Sequence, residues 1–131
     1  MAEHGPETLS GPVLIAEDEA LGAMFLVDIV EELGLAVAGP AGSREAALRA
    51  AARTPPSVAI VDVNLDRAGA GIELAKELCE SYGTRIIFLS GYADLAANQA
   101  VRAVNPVTIL QKPCPPDELT AALRAAASSG S

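Results

Sequence analysis

The sequence predicts an α/β fold: a doubly wound parallel sheet of five strands, with helices on both faces. Three observations lead there. Short runs rich in aliphatic and β-branched residues recur along the chain, at Val13-Leu14-Ile15-Ala16, Val58-Ala59-Ile60-Val61, Ile86-Ile87-Phe88-Leu89 and Val107-Thr108-Ile109-Leu110. Runs of this length without polar alternation are what strands buried on both faces look like. Segments of helical periodicity separate the runs, and such alternation leads to parallel strands joined by right-handed crossovers. Finally, polar residues follow directly or within two positions of each run: Glu17-Asp18, Asp62, Ser90 and Lys112.

The elements follow in order. The first strand is expected over Val13–Glu17. From Ala20 to Leu33, the residues Leu21, Met24, Phe25, Ile29 and Val30 recur at helical spacing, and Gly34 stops that helix. Leu35–Ala38 is a short second strand, closed by Gly39 and Pro40. Ser43 is an N-cap for a helix to Arg53, which Pro55-Pro56 ends. Ser57–Asp62 is the third strand and Asn64–Gly71 a glycine-containing loop. Ile72–Glu80 is a helix with Leu74, Ala75 and Leu78 on one side. Arg85–Ser90 is the fourth strand, followed by a helix from Asp94 to Val104 that Asn105-Pro106 breaks. Val107–Gln111 is the fifth strand. Pro115-Pro116 opens the last helix, where a missing N–H costs nothing, and Asp117 and Glu118 fall in its first turn. The expected organisation is a flexible tail over residues 1–12, one domain over residues 13–127 and a second tail over residues 128–131.

Composition narrows the function. Seventeen acids against nine lysines and arginines give a net charge of −8. That balance disfavours direct binding to nucleic acid or to an anionic membrane. No run approaches the roughly 20 apolar residues of a membrane span, and the first residues do not resemble a signal peptide, so a cytoplasmic protein is expected. Cys79 and Cys114 show neither metal-ligand spacing nor a disulfide framework. Gly69-Ala70-Gly71-Ile72-Glu73-Leu74 imitates a dinucleotide fingerprint but ends in leucine, and reads as a loop entering a helix.

Ligands of parallel α/β sheets bind beyond the carboxyl ends of the strands. Glu17, Asp18, Asp62, Ser90 and Lys112 would therefore share one rim. Three acids, a hydroxyl and an ammonium suit a divalent cation beside a phosphoryl group.

Four segments, taken together and in order, resemble the receiver domains of two-component response regulators. They are Leu14-Ile15-Ala16-Glu17-Asp18-Glu19, Ile60-Val61-Asp62-Val63-Asn64-Leu65, Phe88-Leu89-Ser90-Gly91-Tyr92 and Gln111-Lys112-Pro113. The resemblance runs from Val13 to Ala127. It implies a flavodoxin-like receiver and carries the strand order 2-1-3-4-5 as much as the alternation does. It implies that Asp62 accepts a phosphoryl group from a histidine kinase or a phosphotransfer protein. Mg²⁺ would be held by Asp18 and Asp62, by the backbone carbonyl of Asn64, and by Glu17 mainly through water. Lys112 would pair with the phosphoryl oxygens and Ser90 would donate a hydrogen bond to one of them. Gly91 would leave the approach to Asp62 open, and the peptide before Pro113 would be cis. Such a protein catalyses its own phosphorylation and slow hydrolysis without a metabolic substrate, and it switches the binding of a downstream protein partner.

Two departures stand out. Most receivers carry Tyr or Phe three positions before the lysine, where this chain has Ile109. Tyr92 is similar to the tyrosine of a receiver subfamily with a Phe-Ala-Thr-Gly-X-Tyr type motif, and is expected to take over part of the switch or to shield the phosphoryl group. The chain also stops after its fifth helix, which reads as a stand-alone receiver whose output is a partner protein, a phosphate sink or a phosphorelay step. Two competing readings are a receiver fold used as a phosphorylation-independent interaction module, and an aspartate-based phosphohydrolase of the haloacid dehalogenase kind. The latter carries Asp-x-Asp near its N-terminus, whereas here Asp62-Val63-Asn64 is central.

Overall fold

Burial on both faces turns three of the four apolar runs into the middle of a sheet; the fourth, Val107-Thr108-Ile109-Leu110, expected to be buried likewise, is instead mostly half-buried because it forms an edge strand. In the computed structural model, which describes residues 11–91 and 99–128, the elements alternate throughout. They are β1 (Val13–Ala16), α1 (Ala20–Glu32), β2 (Val37–Ala41), α2 (Arg44–Arg53), β3 (Val58–Asp62), α3 (Ala70–Tyr82), β4 (Arg85–Ser90), α4 (Gln99–Ala103), β5 (Thr108–Gln111) and α5 (Pro116–Ser128). All neighbouring strands are parallel, in the expected order β2-β1-β3-β4-β5. Among the described residues, no helix is long and apolar enough to cross a membrane.

The period of two along each strand divides the core. Leu14, Ala16, Ala59, Val61, Ile86 and Phe88 face α2 and α3, packing with Ala47, Ala51, Leu74 and Leu78. Val13, Ile15, Val58, Ile60, Ile87 and Leu89 face the opposite way, toward Leu26 and Val30 of α1 and Leu119 and Leu123 of α5. Each fully buried Leu, Ile or Val contributes about 1.5–3 kcal/mol relative to exposure. A sheet clad this way is stiff, and its rim is a precise place to hang side chains.

Local chemistry explains most boundaries. The Ser43 side chain accepts from the Ala46 N–H, capping α2. α3 ends on Gly83 in the left-handed region. It spans more than the expected Ile72–Glu80, because Ala70 and Gly71 already belong to its first turn. β2 does not stop before Gly39 and Pro40, as expected, but runs through them to Ala41. The pairing shifts register between Leu14 and Ala16, and the Gly39–Pro40 peptide is cis. An edge strand tolerates a proline that cannot donate, and a bulge absorbs it. Gly11 and Pro12, expected in the tail, pack at the base of the sheet: Gly11 N–H donates to Ser57 Oγ, and Ser57 N–H to the Pro12 carbonyl at 3.0 Å. Ser128 belongs to α5. The expected start of the fourth helix, at Asp94, lies outside the described residues.

The helix expected from Ala20 forms, but its helical spacing does not mark the buried face. In α1 the buried residues are Ala23, Leu26, Ile29 and Val30, whereas Leu21, Met24 and Phe25 are 77%, 60% and 39% exposed. The helix carries apolar side chains on two faces, and the smaller Ala23 lets it sit against the sheet while the larger residues point outward.

Candidate phosphoryl-transfer site

Register decides which polar residues meet. Ala16 pairs with Val61 and Asp62 with Leu89, so Glu17, Asp62 and Ser90 leave neighbouring strands at the same edge. Asp62 ends β3, Ser90 ends β4 and both are buried. The backbone N–H of Lys112 donates to the Ser90 carbonyl at 2.7 Å, which ties the end of β5 to that of β4. The Lys112–Pro113 peptide is cis.

At this rim the Lys112 ammonium reaches two carboxylates. Its Nζ lies 2.9 Å from Asp62 Oδ2 and 3.2 Å from Glu17 Oε1. The Glu17 and Asp62 side chains are 1% and 11% exposed, and that of Lys112 is 31% exposed. The second oxygen of each acid is held by backbone: Glu19 N–H donates to Glu17 Oε2, and Asn64 N–H to Asp62 Oδ1, both at 3.0 Å. Asp18 is exposed, and one oxygen from each of Glu17, Asp18 and Asp62 lies within 4.8 Å of the others. An all-oxygen carboxylate set of this size fits a hard divalent cation that keeps several waters. A Cβ at Gly91 would meet nothing within 4 Å among the described residues, which leave the space beside the rim open there.

The electrostatics oppose one another. Burial pushes the Glu17 carboxyl above its ordinary value; the Glu19 N–H pulls it down, the Asp62 charge pushes it up, and Lys112 lowers it again without reversing the balance. Burial pulls the Lys112 ammonium down, but its hydrogen bonds and ion pairs with Asp62 and Glu17 outweigh that and raise it. A carboxyl raised in the fold holds its proton more tightly folded than unfolded. Its ionisation therefore removes stability as pH rises from about 4.5 through the folded value. Glu17→Gln is accordingly expected to stabilise the metal-free protein at neutral pH by on the order of 1 kcal/mol, and so to raise its melting temperature, while weakening its hold on a divalent cation. Thermal melts upward from pH 4.5 check this; a lower melting temperature for the variant at neutral pH would contradict it.

The structure brings together Glu17, Asp18, Asp62 and Lys112, and puts Ser90 at the same strand ends. Tyr92 lies outside the described residues. Ile109, at the position of the missing aromatic, is half-buried against the core. Cys114 is buried near the lysine, and burial, then the charges of Glu118 and Asp117, push its thiol up, which makes it a poor nucleophile. Sequence reasoning missed two contributors. The Asn64 side chain accepts from the Gly69 N–H at 3.0 Å, and a Cβ at Gly71 would lie 1.9 Å from the Asp62 carbonyl oxygen. The only available signal was an asparagine followed closely by two glycines.

Known proteins resemble this chain over most of its length. The family model described as the response regulator receiver domain matches residues 13–124. The transcriptional regulatory protein PdtaR of Mycobacterium tuberculosis is 32% identical over 116 residues, covering 88% of this chain and 56% of PdtaR. The phyllosphere-induced regulator PhyR of Methylorubrum extorquens is 29% identical over 112 residues, covering 85% and 41%. The chain thus spans about half the length of these relatives. Among solved structures, the signal receiver domain of a modulated diguanylate cyclase from Desulfovibrio desulfuricans G20 superposes with a TM-score of 0.82 at 34% identity, covering 92% of this chain and 95% of that one. The receiver domain of Erythrobacter litoralis PhyR gives 0.79 at 29% identity, covering 89% of each. The chain belongs to the response regulator receiver domains of two-component signalling.

Proposed function

We propose that this receiver takes a phosphoryl group onto Asp62 from a phosphohistidine of a sensor kinase or phosphotransfer protein in the cytoplasm, and that the modified form changes its binding to a downstream protein. The observation that carries this reading is the Lys112 ammonium set between the Asp62 and Glu17 carboxylates at an open strand edge. In the transfer, a carboxylate oxygen of Asp62 forms the new P–O bond as the P–N bond of phosphohistidine breaks, and the electron pair leaves with the imidazole nitrogen. Little covalent chemistry is demanded of the protein, so positioning and charge neutralisation dominate. Glu17, Asp18 and Asp62, with the Asn64 backbone carbonyl, are the residues that would hold Mg²⁺. When bound, it neutralises charge between the carboxylates and the incoming phosphoryl oxygens. Lys112 exchanges its bond to Asp62 for one to a phosphoryl oxygen, and Ser90 donates to another. Gly91 keeps the approach clear. Tyr92 follows Ser90 closely enough in sequence to report the change or to exclude water, in place of an aromatic at Ile109.

Intact mass of the protein incubated with Mg²⁺ and a small phosphodonor tests the reading. The expected result is one added phosphoryl group, located by fragmentation at Asp62; a group located elsewhere would overturn the assignment. The donor protein needs a surface, and Leu21, Met24 and Phe25 supply an exposed apolar patch on α1, directly after the acids. Leu21→Ser combined with Met24→Ser is expected to slow transfer from the cognate kinase about tenfold, and to leave the small-donor reaction unchanged. Equal loss with both donors would mean that the patch does not dock the kinase.

A further inference from the structure

Both oxygens of the Asp62 carboxylate are engaged, but by bonds of different permanence. Oδ2 accepts from Lys112 Nζ, a bond the reaction must release for the lysine to meet the phosphoryl group. Oδ1 accepts from the backbone N–H of Asn64, two residues along the same chain. That N–H can hold the carboxylate's orientation throughout, provided the Asn64 backbone is itself fixed. The loop after β3 supplies the fixing. Asn64 Oδ1 accepts from the Gly69 N–H at 3.0 Å, closing residues 64–69 into a ring. The Gly71 N–H then donates to the Val63 carbonyl at 2.9 Å. Gly71 presses on the peptide that follows Asp62 so closely that a Cβ there would stand 1.9 Å from the Asp62 carbonyl oxygen and 2.9 Å from Val63 Cα. The end of β3, the loop and the first turn of α3 therefore form one tied unit around the acceptor.

We propose that the Asn64 side chain is a positioning residue for Asp62: by pinning the Gly69 N–H it fixes the Asn64 backbone, which orients the Asp62 carboxylate while Lys112 changes partners. This rests on the reading of Asp62 as acceptor and adds to it a role for a side chain that touches neither metal nor phosphoryl group. Gly71 permits the arrangement because only a residue without Cβ fits against the Asp62 carbonyl. Asn64 itself is exposed, so its truncation leaves the core filled.

Three measurements on the full chain test the proposal. In metal-free protein, Asn64→Ala is expected to speed amide hydrogen exchange at Gly69 roughly threefold or more, and Asn64→Asp, which keeps an oxygen acceptor of the same reach, to restore it. Calorimetry with Mg²⁺ alone is expected to show about tenfold weaker binding by Asn64→Ala, the size typical of losing a partner that orients metal ligands. At saturating Mg²⁺, phosphorylation of Asn64→Ala by a small phosphodonor is expected to stay several-fold slower than wild type. Unchanged Gly69 exchange, or faster exchange with wild-type Mg²⁺ affinity and phosphorylation rate, would overturn the proposal. So would an effect confined to the lifetime of the phosphorylated protein, which would mean direct action at the phosphoryl group. Absence of phosphorylation in the wild type would instead count against Asp62 as acceptor, and the first two measurements do not depend on it.

Discussion

Asp62→Asn is expected to fold, to bind Mg²⁺ more weakly and to gain no phosphoryl group from either a kinase or a small donor. A neutral amide lacks the anionic oxygen that forms the P–O bond, so the loss should be complete at the sensitivity of intact mass. Folding survives for an electrostatic reason. In the wild type the Asp62 charge adds to the burial that pushes Glu17 up, and Lys112 is shared between the two acids. Removing the Asp62 charge relieves that repulsion and leaves Lys112 with Glu17, so the melting temperature of the metal-free protein should change little. The carboxylate cluster proposed to hold the metal drops from three carboxylates to two. A phosphorylated Asp62→Asn variant would move the acceptor elsewhere. The variant also separates two modes of signalling: if the downstream partner bound Asp62→Asn and phosphorylated wild type equally, the chain would be acting as a phosphorylation-independent module.

Much of the frame could be read before the structure, for reasons visible in particular elements. The strands at Val58–Asp62 and Arg85–Ser90 are buried on both sides, and burial leaves a continuous apolar signature. The N-cap at Ser43 and the stop at Gly34, which lies in the left-handed region just after α1, are local chemistry, set by a few adjacent residues. What could not be read depends on how elements lie against one another. α1 has apolar side chains around much of its circumference, so periodicity alone could not tell Leu26 from Met24. β2 passes through Gly39 and Pro40 because it is an edge strand, a property of its place in the sheet. The same division applies to the site. Glu17, Asp18, Asp62 and Lys112 were legible because each ends a strand or follows one. The bond from Gly69 to Asn64 and the contact of Gly71 on Asp62 were not, since they arise from the path of a loop.

Lys112→Ala is the other variant with a large expected effect, and it should act in opposite directions on two properties. Without the ammonium, Glu17 and Asp62 remain close together with no cationic partner among the described contacts that now hold them. Breaking a fully buried pair costs about 3–5 kcal/mol; with Lys112 still partly in water, a loss of about 1–3 kcal/mol in the metal-free protein is expected. While the two carboxylates are ionised, the raised ammonium keeps this contribution intact up to its ordinary value of 10.5, and loses it as pH rises through its higher folded value. Added Mg²⁺ should therefore raise the melting temperature of the variant by more than that of the wild type, because the cation no longer competes with a lysine for the same oxygens. Phosphoryl transfer should move the other way. On the proposed reading the group that meets the developing charge on the phosphoryl oxygens is gone, and a loss of about a hundredfold or more in rate at saturating Mg²⁺ is the scale expected for removing one preorganised donor. Melting curves with and without Mg²⁺, alongside rates of small-donor phosphorylation, separate the two roles. Tighter metal binding with a preserved rate would make Lys112 a counter-ion only, whereas tighter binding with a collapsed rate is what a lysine that changes partners during the reaction requires.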